Sequence, residues 1–203
     1  MSDNSAPDST ELRKIWDFPT RIFHWALVIA VGTGWILGQF GPFIKTWHFY
    51  CGYAVIALLA FRLLWGFVGA KPSRFASFIY GPRAILGYMA HMFQRRPSNW
   101  PGHNPMGGWS AIAMLIALAV QAGTGLFADD DIANAGPFAG YVGKEMRGEL
   151  TALHHLNSKL ILALVVLHVG VIAFYFLWKR ENLIRPMLTG WKSVRSKSGS
   201  PAE

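Results

Sequence analysis

Histidine is the residue type in this sequence with the clearest potential for chemistry, because several copies fall in apolar stretches. His24 and His48 each lie near the start of a long apolar stretch, and His168 lies well inside another. His154 comes just before the apolar part of that last stretch. An ionisable side chain within a membrane-length segment is costly, so each of them is by default a functional residue that needs a partner. Imidazoles in this setting predict ligands of a metal-containing group.

Helix geometry and depth sort these histidines into two sites. The 14 positions from His154 to His168 leave an angular offset of about 40° on a helix, whereas the 13 positions from His155 leave about 140°. His154 and His168 therefore share a face and lie about 21 Å apart along the axis, in opposite leaflets. Because adjacent spans run antiparallel, depth matches His24 with His168 and His48 with His154.

Ligand chemistry favours haem iron over zinc at both sites. Zinc takes four ligands, or three and a water. Two imidazoles on separate helices, with no carboxylate or thiolate at the same depth, suit the axial positions of a b haem. Arg62 follows His48 by 14 residues, so it is predicted to face a propionate of the inner haem. Small residues on three spans supply room for the ring: Gly34, Gly38, Gly52, Gly123 and Gly125.

The composition places these sites in a membrane. Of the 203 residues, 52% are hydrophobic and only 15% are charged, against about 25% charged in soluble proteins. Four stretches reach the roughly 20 apolar residues that a span needs: 22–44, 46–70, 107–128 and 152–178. The predicted fold class is an all-α membrane protein, a four-transmembrane-helix bundle with two b haems in its core. This domain covers residues 21–190, between segments 1–20 and 191–203.

The basic residues predict how the bundle is oriented. Four of the 19 Lys and Arg residues fall on one side of the spans, and the other 15 fall on the side of the termini; the four are Lys45, Lys144, Arg147 and Lys159. By the positive-inside rule, both termini are expected in the cytoplasm. The net charge of +8 is then explained by topology and anionic lipid, so no nucleic-acid partner is expected.

Other residues delimit the chemistry further. The lone Cys51 excludes an iron–sulfur site held by four thiolates, and no C-x-x-C-H motif occurs for covalent haem attachment. Between the second and third spans, a short interfacial helix is expected around residues 83–93. A quinone site is predicted at the cytoplasmic end, where the topology brings Arg21, His103 and Arg62 together.

Several motifs resemble one known family, the bacterial cytochrome b561 and nickel–iron-hydrogenase b-type cytochromes. The resemblance covers nearly the whole chain and rests on a set of motifs: WDFPTRIFHW (16–25), WHFYCGY (47–53), FRLLWGF (61–67), GHNPMGG (102–108), the histidines 154 and 168, and RENLIRPMLTG (180–190). Together these motifs are specific, although each alone is weak.

The resemblance implies a protein of the bacterial cytoplasmic (inner) membrane with two b haems. Its ligands would be His24, His48, His154 and His168. Such a protein passes electrons between an outer-side partner and the quinone pool, and the partner would be a c-type cytochrome, a hydrogenase or a dehydrogenase subunit.

Two alternatives stay open at this point. One is an autonomous superoxide:quinone oxidoreductase of the same family, and the other is a membrane anchor subunit without redox function. In the superoxide oxidase branch a glutamate commonly follows the ligand matched by His154, whereas this chain has His155.

Overall fold

Four long helices dominate the fold. The computed structural model describes residues 10–40, 45–98, 100, 102–129 and 134–195, so positions 41–44 of the predicted first span lie outside the described residues. In chain order the elements are β1 (Thr10–Lys14), α1 (Phe18–Gln39), α2 (Lys45–Val68), α3 (Pro82–Met89), α4 (Pro105–Gly125), α5 (Lys144–Leu177), α6 (Ile184–Thr189) and β2 (Trp191–Arg195). The short helix α3 falls where one was expected, around residues 83–93.

The predicted membrane fold is confirmed. Among the described residues, α1, α2, α4 and α5 are long and apolar enough to cross a membrane. Large apolar side chains are exposed along these helices, as at Ile29, Leu64 and Leu177. Such surfaces are stable against lipid and not against water. The chain is therefore a multi-pass membrane protein.

The ends of the helices are set by local capping and differ from the predicted bounds. Asp17 begins α1 by accepting a hydrogen bond from the Thr20 N–H at 2.9 Å. Asn104 begins α4 in the same way, through the Gly107 N–H at 2.7 Å. Both caps satisfy amides that a helix start leaves without partners. α5 begins at Lys144, well before the predicted bound of 152, because its first turns are polar and escape a search for apolar runs.

An aliphatic layer forms the centre of the bundle. α1 packs on α2, α4 packs on α5, and α2 meets α4. Ala117, Leu118 and Ile161 are buried where these helices meet, with partly buried leucines and valines around them. Ile161 lies seven residues from His154 and seven from His168. This core therefore separates the two ends of the bundle at which histidines lie.

The two termini meet in a two-stranded antiparallel sheet, which was not predicted. β1 and β2 pair along their whole length. α6 is followed by Gly190, whose φ of +88° favours glycine. The Gly190 carbonyl accepts hydrogen bonds from the N–H groups of Ile15 at 2.8 Å and Trp16 at 3.2 Å. The C-terminal segment 191–203 thus begins with a strand, and both terminal segments lie at one end of the bundle. The cytoplasmic location of that end stays a prediction.

Candidate functional site

His48 and His154, predicted as the outer site, lie together at one end of the bundle and are called the outer pair below. Their ring centroids are 6.1 Å apart, with planes at 78°. Both rings line a cavity among α1, α2, α4 and α5. The two imidazoles therefore line one space among four helices, which is where a cofactor held by both would lie.

Hydrogen bonds fix which nitrogen each ring of the outer pair can offer. The His48 Nδ1 lies 2.8 Å from the Gly34 carbonyl oxygen, and the His154 Nδ1 lies 3.0 Å from that of Gln121. A carbonyl only accepts, so both Nδ1 atoms carry hydrogen and both Nε2 atoms have a free electron pair. Histidines that bind metals usually donate their second N–H in this way.

Two glycines make space for these rings. A Cβ at Gly38 would lie 3.3 Å from the His48 Cε1, and one at Gly125 would lie 3.0 Å from the His154 Cε1. Both distances are tighter than ordinary carbon contacts, so a larger residue would push the ring away. Gly34, also expected to supply room, contacts His48 through its carbonyl, and a Cβ there would lie 3.2 Å from the Cys51 Cβ. Gly34 and Gly52 line the same cavity, and a Cβ at Gly52 or Gly123 would meet nothing within 4 Å.

His24 and His168, predicted as the inner site, come from α1 and α5 near the other end of the bundle and are called the inner pair below. The two imidazoles are close enough to interact electrostatically. The His24 Nδ1 is buried and has no hydrogen-bond partner among the described residues. A buried nitrogen without a partner is unfavourable, so it is suited to bind a ligand.

Arg62, predicted to bind a propionate, is buried near the inner pair. It is only 6% exposed, and its Cζ lies 4.8 Å from the Phe75 ring centroid and 5.7 Å from that of Phe78. Its Nη1 has no hydrogen-bond partner among the described residues. Asp17 attracts it, but that carboxylate accepts the indole N–H of Trp65 at 2.9 Å. A buried guanidinium without a bonded anion is costly, so this environment fits a propionate.

His103, predicted for the quinone site, packs between the rings of Trp16 and Phe78, each 4.8 Å away. Burial, and then the positive charge of Arg62 and of the inner pair, lowers the pKa of His103 to about 4. The ring is therefore neutral near pH 7. Its Nδ1 is buried without a hydrogen-bond partner in the described chain, and the shared Phe78 brings it beside Arg62.

Arg21, the third residue predicted for the quinone site, points elsewhere. Its guanidinium donates to the Leu188 carbonyl in α6 and lies over the Phe18 ring, with Cζ 5.6 Å from the centroid. His103 therefore lies beside Arg62, whereas the Arg21 side chain points toward α6.

Two polar residues beside the outer pair were missed by the sequence reasoning. Asn157 is buried, and its Nδ2 donates to the Ala117 carbonyl at 2.9 Å and to the Gln121 Oε1 at 2.8 Å. The Gln121 Nε2 lies 3.0 Å from the His154 Nε2. A search for all polar side chains in the spans, not only ionisable ones, would have found both.

A second polar cluster, also missed, joins the terminal segment to the loop before α4. The Lys192 Nζ lies 2.6 Å from the Glu181 Oε1, and the Ser98 N–H donates to the Glu181 Oε2 at 2.6 Å. Burial alone would raise the pKa of Glu181, but the hydrogen bonds from Lys192 and Ser98 outweigh it and hold that pKa below its ordinary value. We call Glu181, Lys192 and Ser98 the terminal clamp.

Taken together, fold and site define a four-helix membrane protein with one pair of imidazoles toward each end of its core. Within the described parts of the chain, no three His, Cys, Asp or Glu residues group together as a metal site would require. The donor sets are therefore pairs, which suits haem iron.

The chain belongs to the prokaryotic cytochrome b561 family, whose model matches residues 15–190. It is thus a membrane b-type cytochrome, and the family implies haem b and electron transfer.

Relatives of similar length share this family resemblance. A "Probable Ni/Fe-hydrogenase B-type cytochrome subunit" of Azotobacter chroococcum mcd 1 is 23% identical, over 89% of this chain and 88% of the relative. The protein of the same name from Rhizobium leguminosarum bv. viciae is 22% identical over 90% of each. A "Probable Ni/Fe-hydrogenase 1 B-type cytochrome subunit" of Escherichia coli (strain K12) is 24% identical, over 92% and 93%. No solved structure matches the chain.

Proposed function

We propose that this chain binds two b haems and carries electrons across the bacterial inner membrane, between a redox partner on the outer side and the quinone pool. The observation that carries the proposal is the presence of two histidine pairs, one toward each end of the same bundle. Each pair draws one residue from α5, which makes that helix the common support of both sites.

The chain's own residues give each proposed site its character. A b haem held between two imidazoles supplies a one-electron carrier. His48 and His154 offer Nε2 as the ligand atom, because their Nδ1 atoms donate to backbone carbonyls. Arg62 offers a buried positive charge to a carboxylate beside the inner pair. The aliphatic layer around Ile161 lies between the two sites.

The quinone is proposed to bind at the inner end, near His103 and Arg62. His103 has an unpartnered Nδ1 there, and its low pKa favours a hydrogen-bonding role over proton storage. If the proposal holds, a His103→Ala and Arg62→Gln double variant loses most quinone reduction. Unchanged quinone reduction in that variant would remove this site.

A nickel–iron hydrogenase is the proposed outer partner. Relatives that match this chain over nearly their whole length are named as b-type cytochrome subunits of that enzyme. A c-type cytochrome or a dehydrogenase subunit would dock on the same outer loops. Co-purification of the tagged chain with hydrogenase subunits distinguishes these partners.

The first test is a reduced-minus-oxidised absorbance spectrum of the purified chain, with pyridine haemochrome quantitation of haem per chain. We expect a b-type spectrum and two haems per chain. His168→Ala should leave one haem, because it removes an inner ligand while the outer pair remains.

His155→Ala is the matched control, since His155 neighbours His154 but is exposed. It should retain both haems. Retention of both haems in His168→Ala would overturn the ligand assignment, and a wild-type chain without haem would return the protein to the class of anchor subunits. Rapid superoxide oxidation by the purified chain with quinone would instead support the autonomous oxidoreductase.

A further inference from the structure

The side chain of Gln121 meets the atom of His154 that the proposed function needs. The Gln121 Nε2 lies 3.0 Å from the His154 Nε2, within hydrogen-bond distance. The main-chain carbonyl of Gln121 accepts a hydrogen bond from the other ring nitrogen, because its oxygen lies 3.0 Å from the His154 Nδ1. A single residue of α4 therefore contacts both nitrogens of one imidazole.

The direction of each hydrogen bond follows from a backbone carbonyl that can only accept. The Asn157 atom facing the Ala117 carbonyl at 2.9 Å must be its NH2 group. That same NH2 group lies 2.8 Å from the Gln121 amide, so the Gln121 atom there must be the oxygen. The Gln121 NH2 group is then the one that faces His154, and it donates to Nε2.

The Nδ1 side of His154 leads independently to the same assignment. The Gln121 carbonyl requires a hydrogen on Nδ1. Thr124 adds an acceptor: its hydroxyl donates to the Val120 carbonyl at 2.7 Å, and its oxygen lies 3.2 Å from Nδ1. The Nε2 atom therefore holds the free electron pair, and the Gln121 amide occupies it.

We propose that Gln121, oriented by Asn157, is a positioning residue that caps the ligand nitrogen of His154 and competes with haem iron for it. One electron pair cannot accept a hydrogen bond and bind a metal at the same time. The cap holds the ring in the ligating tautomer, and it must leave before iron binds. The inference rests on the proposed ligand role of the outer pair.

If the Gln121 amide competes with iron for His154, its removal should strengthen haem binding instead of weakening it. Truncation of a side chain that only supports the ring weakens haem binding, whereas truncation of a competitor strengthens it. The net free energy of one hydrogen bond is about 0.5–1.5 kcal/mol, so Gln121→Ala should tighten haem binding at the outer pair about twofold to tenfold. Asn157→Leu removes the hydrogen bond that orients the Gln121 amide, so it should tighten haem binding by a smaller factor.

Gln121→Glu and Thr124→Val should act in the opposite direction. A carboxylate beside Nε2 accepts a hydrogen bond there, which favours a ring protonated at Nε2 and weakens metal binding. Thr124→Val removes an acceptor of Nδ1–H, so the ligating tautomer loses support.

The experiment is a haemin titration of the full chain in detergent micelles, after expression under haem depletion, with His168→Ala present throughout so that only the outer pair binds. Absorbance near the Soret band gives the dissociation constant. A smaller constant for Gln121→Ala, together with a larger one for Thr124→Val, supports the cap. An unchanged or larger constant for Gln121→Ala overturns it.

Failure of the cap and failure of the proposed function are distinguishable. If the background chain binds no haem, or if adding His48→Ala leaves binding intact, then the outer pair is not the ligand set and the proposed function fails. If the background chain binds haem through His48 and Gln121→Ala fails to tighten it, only the cap is refuted. Should Gln121→Ala not fold, Asn157→Leu tests the same sign without altering α4.

Discussion

At the scale of single residues, the inner end of the bundle is distinguished by buried nitrogens without hydrogen-bond partners in the described chain. Four of the five such nitrogens among the described residues lie at this end, and the fifth, Arg147 Nε, lies near the start of α5; the four are Arg21 Nε, His24 Nδ1, Arg62 Nη1 and His103 Nδ1. Buried polar atoms are normally paired, so their concentration at one end indicates that a ligand with polar atoms binds there. The carboxylates of a haem fit that requirement for Arg62.

Removal of the Arg62 charge should lower the reduction potential of the haem proposed at the inner pair. The positive guanidinium stabilises the reduced state, which carries one more electron than the oxidised state. Arg62→Gln removes that charge, and we expect a drop on the order of 50 mV, which corresponds to about a tenfold change in the one-electron equilibrium. Potentiometric titration followed by absorbance measures it.

Arg62→Lys is the matched variant because it keeps the charge on a shorter side chain. Its potential should stay near the wild-type value, although its haem is held less firmly because the forked guanidinium is lost. Equal potentials for Arg62→Gln and the wild type would refute the electrostatic role of Arg62.

At the scale of elements, the close approach of α4 to the outer pair depends on one glycine. A Cβ at position 125 would lie 3.0 Å from the His154 Cε1, whereas one at Gly123 would meet nothing within 4 Å. Gly125→Ala should therefore displace the imidazole and weaken binding of the haem proposed at the outer pair by about tenfold or more, the cost of roughly one misplaced ligand contact, while Gly123→Ala should not. Haem quantitation after gel filtration of both variants compares them directly.

The comparison has a built-in control for helix propensity. Both substitutions put alanine in place of glycine near the end of the same helix, so any general stabilisation of α4 is shared. Equal haem content in the two variants would show that the ring tolerates the methyl group and that Gly125 does not shape the site.

The parts of the structure that could be predicted from sequence depend on local patterns. The four long helices follow from apolar runs, and the face shared by His154 and His168 follows from helix geometry alone. Gln121 was missed because its role depends on a contact with a different helix. The terminal clamp was missed for the same reason, since Ser98 and Glu181 are 83 residues apart.

At the scale of the whole molecule, the terminal segments close one end of the bundle. β1 and β2 join the two ends of the chain, and the terminal clamp ties the segment after α5 to the loop that precedes α4. That loop carries His103, which lies beside Arg62 through their shared contact with Phe78. The position of the inner-end residues therefore depends on contacts made outside the membrane core.

Acid should lower the stability of the folded chain by protonating Glu181 in the terminal clamp. Its pKa in the folded chain is below its ordinary value of 4.5, so the ionised carboxylate stabilises the fold above about pH 4.5, and that stabilisation is lost as the pH falls through the folded pKa. Glu181→Gln lacks this contribution and leaves Lys192 buried without its counter-ion. Breaking a buried ion pair in this way costs about 3–5 kcal/mol.

Chemical denaturation in detergent from pH 3.5 to pH 7 tests the clamp. The wild type should exceed Glu181→Gln in stability by a constant margin near neutral pH, and the margin should shrink below about pH 4.5 as the wild-type carboxylate is protonated. Glu149→Gln is the matched control, because Glu149 is exposed on α5 and its loss should leave the curve unchanged. A margin that is independent of pH, or that grows in acid, would mean that ionised Glu181 does not hold the termini against the inner end of the bundle.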